Sequence, residues 1–271
     1  MTLTFLGTGT SIGVPEPGCR CEVCRSSDLR DKRLRCSSLV ETDTTRILLD
    51  CSIDFREQMI RLDRFRKLDA VLITHRHFDH TGGLDDLRPF TRLGGGNTDI
   101  YLDSGTASDL RTRLPYFFAK NLYPGVAHLT LHEVSSQKPF RVGDVEILPL
   151  DVMHGNLPIL GYRLTPLDGG PSLGYITDMS TCPVTTLQAL LGETPETSQY
   201  GPVSTLVVNA LRMEPHPSHQ NLAEAVEFAR KVGARETYFI HFSHTIGLHA
   251  STDALLPPSM HLAYDMQEIT I

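Results

Sequence analysis

Residues 73–83 read ITHRHFDHTGG. His75, His77, Asp79 and His80 fall close together in it, directly after the apolar run Ala70-Val71-Leu72-Ile73 and directly before two glycines. A short apolar run of this kind reads as a buried strand, so the four polar side chains leave from its end. Neutral imidazole and carboxylate are the donors that divalent zinc, manganese and iron accept, and a loop leaving a rigid strand aims several of them at one point. At this composition the cluster arises by chance in roughly one chain in a thousand. The rival reading, a polar loop that is merely rich in histidine, asks for no further donors elsewhere.

Four donors cannot close two metal sites, so the metal reading requires more of them, each at a strand end. The sequence supplies three. His154 follows a strand placed at 145–150, Asp178 follows 173–176 and His241 follows 237–240. Taken singly each is an ordinary core or surface residue; their shared position after a strand makes them ligand candidates.

The remaining strands are expected at 2–6, 46–49, 70–74, 100–102, 159–164, 205–209 and 268–271, and helices at 53–62, 105–113, 184–191 and 222–232. In the last helix Leu222, Val226 and Ala229 share a face, and Asn221 with Glu224 has the spacing of a capping box. That many strands exclude a helical bundle. Interleaved with helices and with no Ser/Gly-rich linker, they imply an α+β sheet pair covered by helices, in one domain over 1–271. Residues 192–202, GETPETSQYGP, read as a surface loop.

A chain of 271 residues, 40% hydrophobic and 21% charged, buries a substantial core. Its net charge of -7 opposes an extended grip on nucleic acid, because affinity for phosphate backbones needs clustered Lys and Arg. The basic stretches 25–35 and 61–67 are interleaved with Asp, as on a solvated face. Residues 1–13 have no leader pattern, and no run approaches the ~18 apolar residues of a membrane span, so no membrane partner and a cytoplasmic location are expected. The six cysteines then read as thiols or metal ligands. Cys36, Cys51 and Cys182 stand alone, as small buried hydrophobes do.

The HRHFDH motif, the Gly7-Thr8-Gly9 turn, Asp50 closing ILLD, and His154, Asp178 and His241 together resemble the metallo-β-lactamase fold superfamily over nearly the whole chain. GVPEPGCRCEVC near the start and HFSH near the end are similar to segments of its PhnP-type cyclic phosphodiesterases. The resemblance implies a four-layer αββα sandwich with a dinuclear site at one edge. It implies that His75, His77 and His154 hold one ion, that Asp79, His80 and His241 hold the other, and that Asp178 bridges them. His80 favours the phosphodiesterase, nuclease, glyoxalase and lactonase branches over β-lactamases of the best-known type. Cys19, Cys21 and Cys24, in a knuckle loop at about 15–36, offer three thiolates, and His244 is the candidate fourth ligand of a structural zinc.

Two divalent ions, zinc or manganese, about 3.5 to 4 Å apart lower the pKa of water toward neutrality and polarise a phosphoryl oxygen. The leaving alkoxide needs a proton. His219, in EPHPSHQNLAEAV, aligns with the histidine that resembles the family's acid, and His216 is the second choice. Asp79 and His219 are thus the catalytic candidates, acting on a small phosphodiester, cyclic ones included. The longer middle, 114–126 and 192–202, departs from the PhnP pattern, so the resemblance does not carry over that family's ribosyl cyclic phosphate substrate. The rival readings are a nuclease resembling tRNase Z, which the acidic balance opposes, a thioester or lactone hydrolase, and a non-catalytic metal-binding protein resembling PqqB. His128, His132, His249 and His261 read as solvent-facing or packing residues. The aromatic stretch 114–124 reads as core packing, ahead of a pocket wall or a homodimer contact.

Overall fold

The computed structural model describes residues 1–93 and 96–271. Its first half carries β1 (Thr2–Gly7), β2 (Ser37–Glu41), β3 (Arg46–Leu49), β4 (Ala70–Leu72), β5 (Thr98–Leu102) and β6 (Leu129–Glu133). Then come β7 (Phe140–Val142), β8 (Val145–His154), β9 (Leu157–Pro166), β10 (Leu173–Ile176), β11 (Thr205–Asn209), β12 (Glu236–Ile240), β13 (Met260–Leu262) and β14 (Glu268–Thr270). They form two 7-stranded sheets, ordered β14-β1-β2-β3-β4-β5-β6 and β13-β12-β11-β10-β9-β8-β7. β14 returns to the first sheet and pairs antiparallel with β1, setting Leu3 opposite Ile269.

The strands β3 to β6 are mutually parallel, and so are β10 to β13. Parallel strands need both faces covered, which explains runs such as RILL and TLVVN that are apolar without alternation. Ile47 and Leu49 of β3 meet Val145, Ile147, Tyr162 and Val207 in the core between the sheets. Leu48 points outward, to Phe55, Phe90, Ala107 and Leu110 of the helices Phe55–Leu62, Arg88–Leu93 and Ser104–Arg113. On the other sheet Leu206 and Val208 pack beneath Leu190, Ala225 and Phe228 of the helices Val184–Leu191 and Leu222–Val232. The result is the αββα sandwich. Helix Leu222–Val232 starts at the expected capping box, with Asn221 accepting from the Glu224 amide at 2.9 Å.

Three differences from expectation have local causes. β8 does not stop at residue 150 but runs to His154, in register with β9 through a two-residue turn whose first residue, Gly155, has φ +59. A glycine-first hairpin turn of this kind matches strand twist, and the Gly155-Asn156 pair is its signature. β4 ends at Leu72 rather than 74, because the Thr74 carbonyl turns to accept from the Leu160 amide of the other sheet at 2.9 Å. Finally, the stretch 114–124 is not uniformly core: Phe117 is buried, while Tyr116 is 41% and Tyr123 79% exposed. The short strands β2, β7 and β13 lacked a period long enough to read.

Candidate metal centres

One edge of the sandwich collects the ends of strands from both sheets. His75 and His77 leave β4, and the short helix Phe78–Thr81 turns Asp79 and His80 back toward the same point. From the second sheet His154 ends β8, Asp178 follows β10 and His241 follows β12. Donor atoms of His75, His77 and His154 lie within 4.8 Å of one another, and so do those of Asp79, His80, Asp178 and His241. Asp178 links the groups: Oδ1 is 3.1 Å from His241 Nε2 and Oδ2 is 3.4 Å from His80 Nε2, and its carboxylate also lies within 4.8 Å of the donor atom of His154 in the first group. All seven expected positions are therefore brought together.

The backbone is bent to do this. Asp50, Asp178 and His241 have φ of 59, 56 and 62, in the left-handed region that costs a non-glycine residue about 1 kcal/mol or more. Asp and His are among the residues that tolerate it best. At each of these points the strand stops and the side chain swings over the sheet edge.

Neighbours fix the tautomers. His80 Nδ1 donates to Asp50 Oδ2 at 2.7 Å, and Asp50 also accepts from the Thr74 amide at 2.8 Å. His154 Nδ1 donates to the Ser218 carbonyl at 2.7 Å. In both rings Nε2 is left for the shared centre, the arrangement in which imidazole binds metal. Thr10 Oγ1 lies 3.2 Å from His241 Nε2.

Burial pushes His75 well below the ordinary imidazole range and His241 down to about 4, so both are neutral donors at pH 7. Burial also opposes charge on His80, yet Asp178, Asp79 and Asp50 together hold that ring well above its usual value. Asp178 ionises far below the carboxylate range; burial works against this, and His241 and His80 outweigh it.

The residues fit a pair of cations. His75 Nε2 and His77 Nδ1 face each other at 2.9 Å, which places two imidazole nitrogens where one ion accepts both. Among the described residues, buried His241 Nδ1 has no hydrogen-bond partner and His80 Nε2 has none in good alignment. Oxygen and nitrogen donors without thiolate suit zinc or manganese.

His219 also reaches this centre. Its Nε2 is 3.1 Å from Asp178 Oδ1, its Nδ1 is 3.2 Å from His216 Nδ1, and its ring stacks on His241 at 5.1 Å. Donor atoms of His219, His154 and Asp178 again lie within 4.8 Å, so the ring stands at the rim of the ligand set.

A second group forms beside the first. Cys19, Cys21, Cys24 and His244 have donor atoms within 4.8 Å of one another. His244 Nδ1 is 3.2 Å from Cys21 Sγ, and its Nε2 is 3.0 Å from Glu16 Oε2. The Cys24 amide, with help from His244, draws Cys21 down to about 6, while burial lifts Cys24 to about 11. Three thiols and an imidazole in a ring suit a closed zinc site. Of the lone cysteines, Cys36 and Cys51 are fully buried and Cys182 is partly buried.

The other histidines stay outside both groups. His132 pairs with Asp99 and His261 with Glu236, each at 2.9 Å. His249 is buried and accepts from Arg33 at 3.3 Å. Sequence reasoning assigned no role to Thr10, Glu16 or the Ser218 carbonyl. It noted Asp50 without giving it one, although Asp50 obeys the same strand-end rule as the ligands.

Two sheets with donors at one edge define a metal-site sandwich of the metallo-β-lactamase type, and a family match described as "Beta-lactamase superfamily domain" covers residues 45–242. The chain belongs to that superfamily, whose members include metal-dependent hydrolases. Within it, the structure described as a new diphosphatase from the PhnP family is 36% identical, with a TM-score of 0.86 over 100% of this chain and 97% of that one. Zinc-bound PqqB from Methylobacterium extorquens, 18% identical, shares the fold at a TM-score of 0.76 over 100% of both chains. Among curated relatives, the octanoyltransferase of Porphyromonas gingivalis is 42% identical over 100% of this chain but 52% of its own length. The PQQ synthesis protein B of Acinetobacter baylyi is 26% identical over 67% of this chain and 63% of its own. The chain thus spans about half to two thirds of these curated relatives. No helix among the described residues is long and apolar enough to cross a membrane.

Proposed function

We propose that this chain hydrolyses a small phosphodiester. His75, His77 and His154 would hold one divalent ion, Asp79, His80 and His241 a second, with Asp178 shared, and Cys19, Cys21, Cys24 and His244 a structural zinc. When bound, the ion pair supplies a nucleophilic hydroxide at neutral pH and withdraws charge from the phosphoryl oxygens. The chain's own part is orientation and proton delivery. Asp50 and the Ser218 carbonyl keep the rings of His80 and His154 from turning. Asp79 is a ligand whose carboxylate also lies 3.2 Å from His80 Nε2. His219, hydrogen-bonded to Asp178 at 3.1 Å, is the general acid for the leaving alkoxide, and His216 steadies its far nitrogen.

The observation that carries the reading is the approach of the two donor groups through Asp178, at an edge where a histidine outside both sets already reaches the shared carboxylate. The PhnP-family diphosphatase supports phosphorus over carbon as the atom attacked. One finding favours a second reading, hydrolysis of an acyl thioester: the Porphyromonas gingivalis relative is named for octanoyl transfer, though that name covers a protein about twice as long. The deciding assay offers the zinc- or manganese-loaded chain bis-p-nitrophenyl phosphate, an octanoyl thioester and a tRNA precursor. Turnover of the phosphodiester alone is expected. Cleavage of the thioester alone selects the second reading, cleavage of the tRNA precursor selects a nuclease, and no turnover on any of them removes the enzyme.

A further inference from the structure

A groove of about 520 Å³ lies between the helix Leu222–Val232 and the segment 180–187. The helix forms one wall through Ala223, Glu227 and Lys231, which four-residue spacing puts on one face. These positions span about 12 Å of the helix axis. Cys182, Val184 and Leu187 supply the other wall. Among the described residues that border the groove there is no proposed ion ligand, and His219 is not one of them. A space of this size, apolar with a few polar groups, has the make-up of a binding site.

Two of its polar groups are uncommitted. Gln220, one residue ahead of the Asn221 cap, is 9% exposed, and its Oε1 is buried without a hydrogen-bond partner. Its backbone is fully used by contrast: the amide donates to the Met179 carbonyl at 2.9 Å, and the carbonyl accepts from Leu211 at 3.0 Å. A buried amide oxygen without a donor costs stability, so the fold gains nothing from keeping one here. The last side-chain torsion of glutamine is broad and two-fold, so either amide atom can turn to the groove. Lys231, in the last turn of the helix, is exposed and forms no ion pair among the described residues. The acids of the same wall are engaged: Glu224 accepts from the Asn221 amide at 2.9 Å, and Glu227 pairs with Arg230.

A primary amide matches a peptide bond, which offers the same donor and acceptor, and an ammonium matches a carboxylate. The apolar surface between them matches aliphatic side chains, and the two glutamates at the rim select against acidic ones. At about 3.3 Å per residue, four residues of extended chain fill the length. We infer that this groove docks the apolar C-terminal end of another polypeptide, its final carboxylate on Lys231 and an upstream peptide bond on Gln220. The inference goes beyond the proposed reaction and does not depend on it.

The probe is a pool of fluorescein-labelled pentapeptides whose last three positions vary among Ala, Val, Leu and Phe. It is offered with a free or an amidated C-terminus to the full metal-loaded chain and read by anisotropy. The free-acid pool should bind, and amidation should weaken it about threefold to fivefold, the size an exposed ion pair supports. Lys231→Met should bind both pools alike, at the weaker level. Gln220→Leu should lose about tenfold on both pools while melting no lower than the native chain, because it removes an amide that the fold leaves unpaired. In the native chain a bound peptide should also slow alkylation of Cys182 by iodoacetamide, read by peptide mass. Four results overturn the inference: no binding by either pool, an acid preference that survives Lys231→Met, Cys182 left unprotected, or Gln220→Leu melting lower with peptide affinity unchanged. So does dodecanoate that displaces the pool and binds at least tenfold more tightly, which makes the groove a lipid site.

Discussion

His241 and His244 stand three residues apart on one chain exit, yet they serve donor groups assembled on different terms. The group around His241 draws on strand ends from both sheets, is almost wholly buried, and is backed by Asp50 and the Ser218 carbonyl. The group around His244 takes three ligands from one six-residue stretch, has only Cys24 buried, and leans on Glu16, which is 39% exposed. In the first case the folded sheets hold the side chains and pay for the bent backbone at Asp178 and His241. In the second a short loop, paired at its neck by backbone bonds between Val14 and Arg33, closes over only a small apolar cluster, Val14, Val23 and Cys24. A metal should therefore be cargo for the first group and part of the fold for the second.

The sharpest way to break this contrast is Asp178→Ala. It should reduce phosphodiester turnover on the order of 10³-fold or more and remove about two metal ions per chain, with melting temperature little changed. Metal analysis beside calorimetry checks it, and a large fall in melting temperature with metals retained would reverse the assignment. Cys21→Ser should do the opposite, losing about one zinc per chain and lowering the melting temperature by several degrees, with a smaller effect on turnover. An unchanged metal count in that variant ends the structural-zinc proposal. Asp50→Asn, which weakens the support of His80, should cost roughly 10 to 100-fold in metal affinity or turnover. Glu16→Gln is the matching change at the thiolates, and because Glu16 is partly exposed the loss of zinc affinity should lie near the lower end, about tenfold, by competition with a chelator.

The smallest effect concerns His249, outside both groups, which burial and the neighbouring Arg33 depress to about 4. Its neutral form is the one the fold accepts. The stability it contributes is thus complete above about pH 6.5 and is lost as pH falls toward and through 4. His249→Gln should flatten melting temperature over that window, and an unaltered slope would clear His249 of any part in it.

The same contrast governs what could be read without coordinates. The Cys19-Cys21-Cys24 run and the histidine cluster at 75–80 are local in sequence, so donor chemistry alone exposed them. Asp178 and His241 were legible because strands that pair in parallel and are buried on both faces are apolar runs, and a polar residue closing such a run has few reasons to be there. His154 was placed beyond its strand when it is the last residue of it, because Gly155-Asn156 was not recognised as a hairpin turn. The supporting contacts were illegible for a different reason. A hydrogen bond from His154 to a backbone carbonyl, or from His244 to a glutamate of another loop, leaves no mark in residue type or period.

Tyr162 lies in the second sheet and donates its hydroxyl to the Ile73 carbonyl of the first at 2.6 Å, one residue before the Thr74 carbonyl meets Leu160. These two cross-links stand immediately behind His75. They act as a gauge block between halves of a split bearing: the separation of the donors carried by the two sheets follows from how far apart the layers are bolted. Removing that hydroxyl, as in Tyr162→Phe, would undo one of the two bolts while leaving every donor in the sequence untouched.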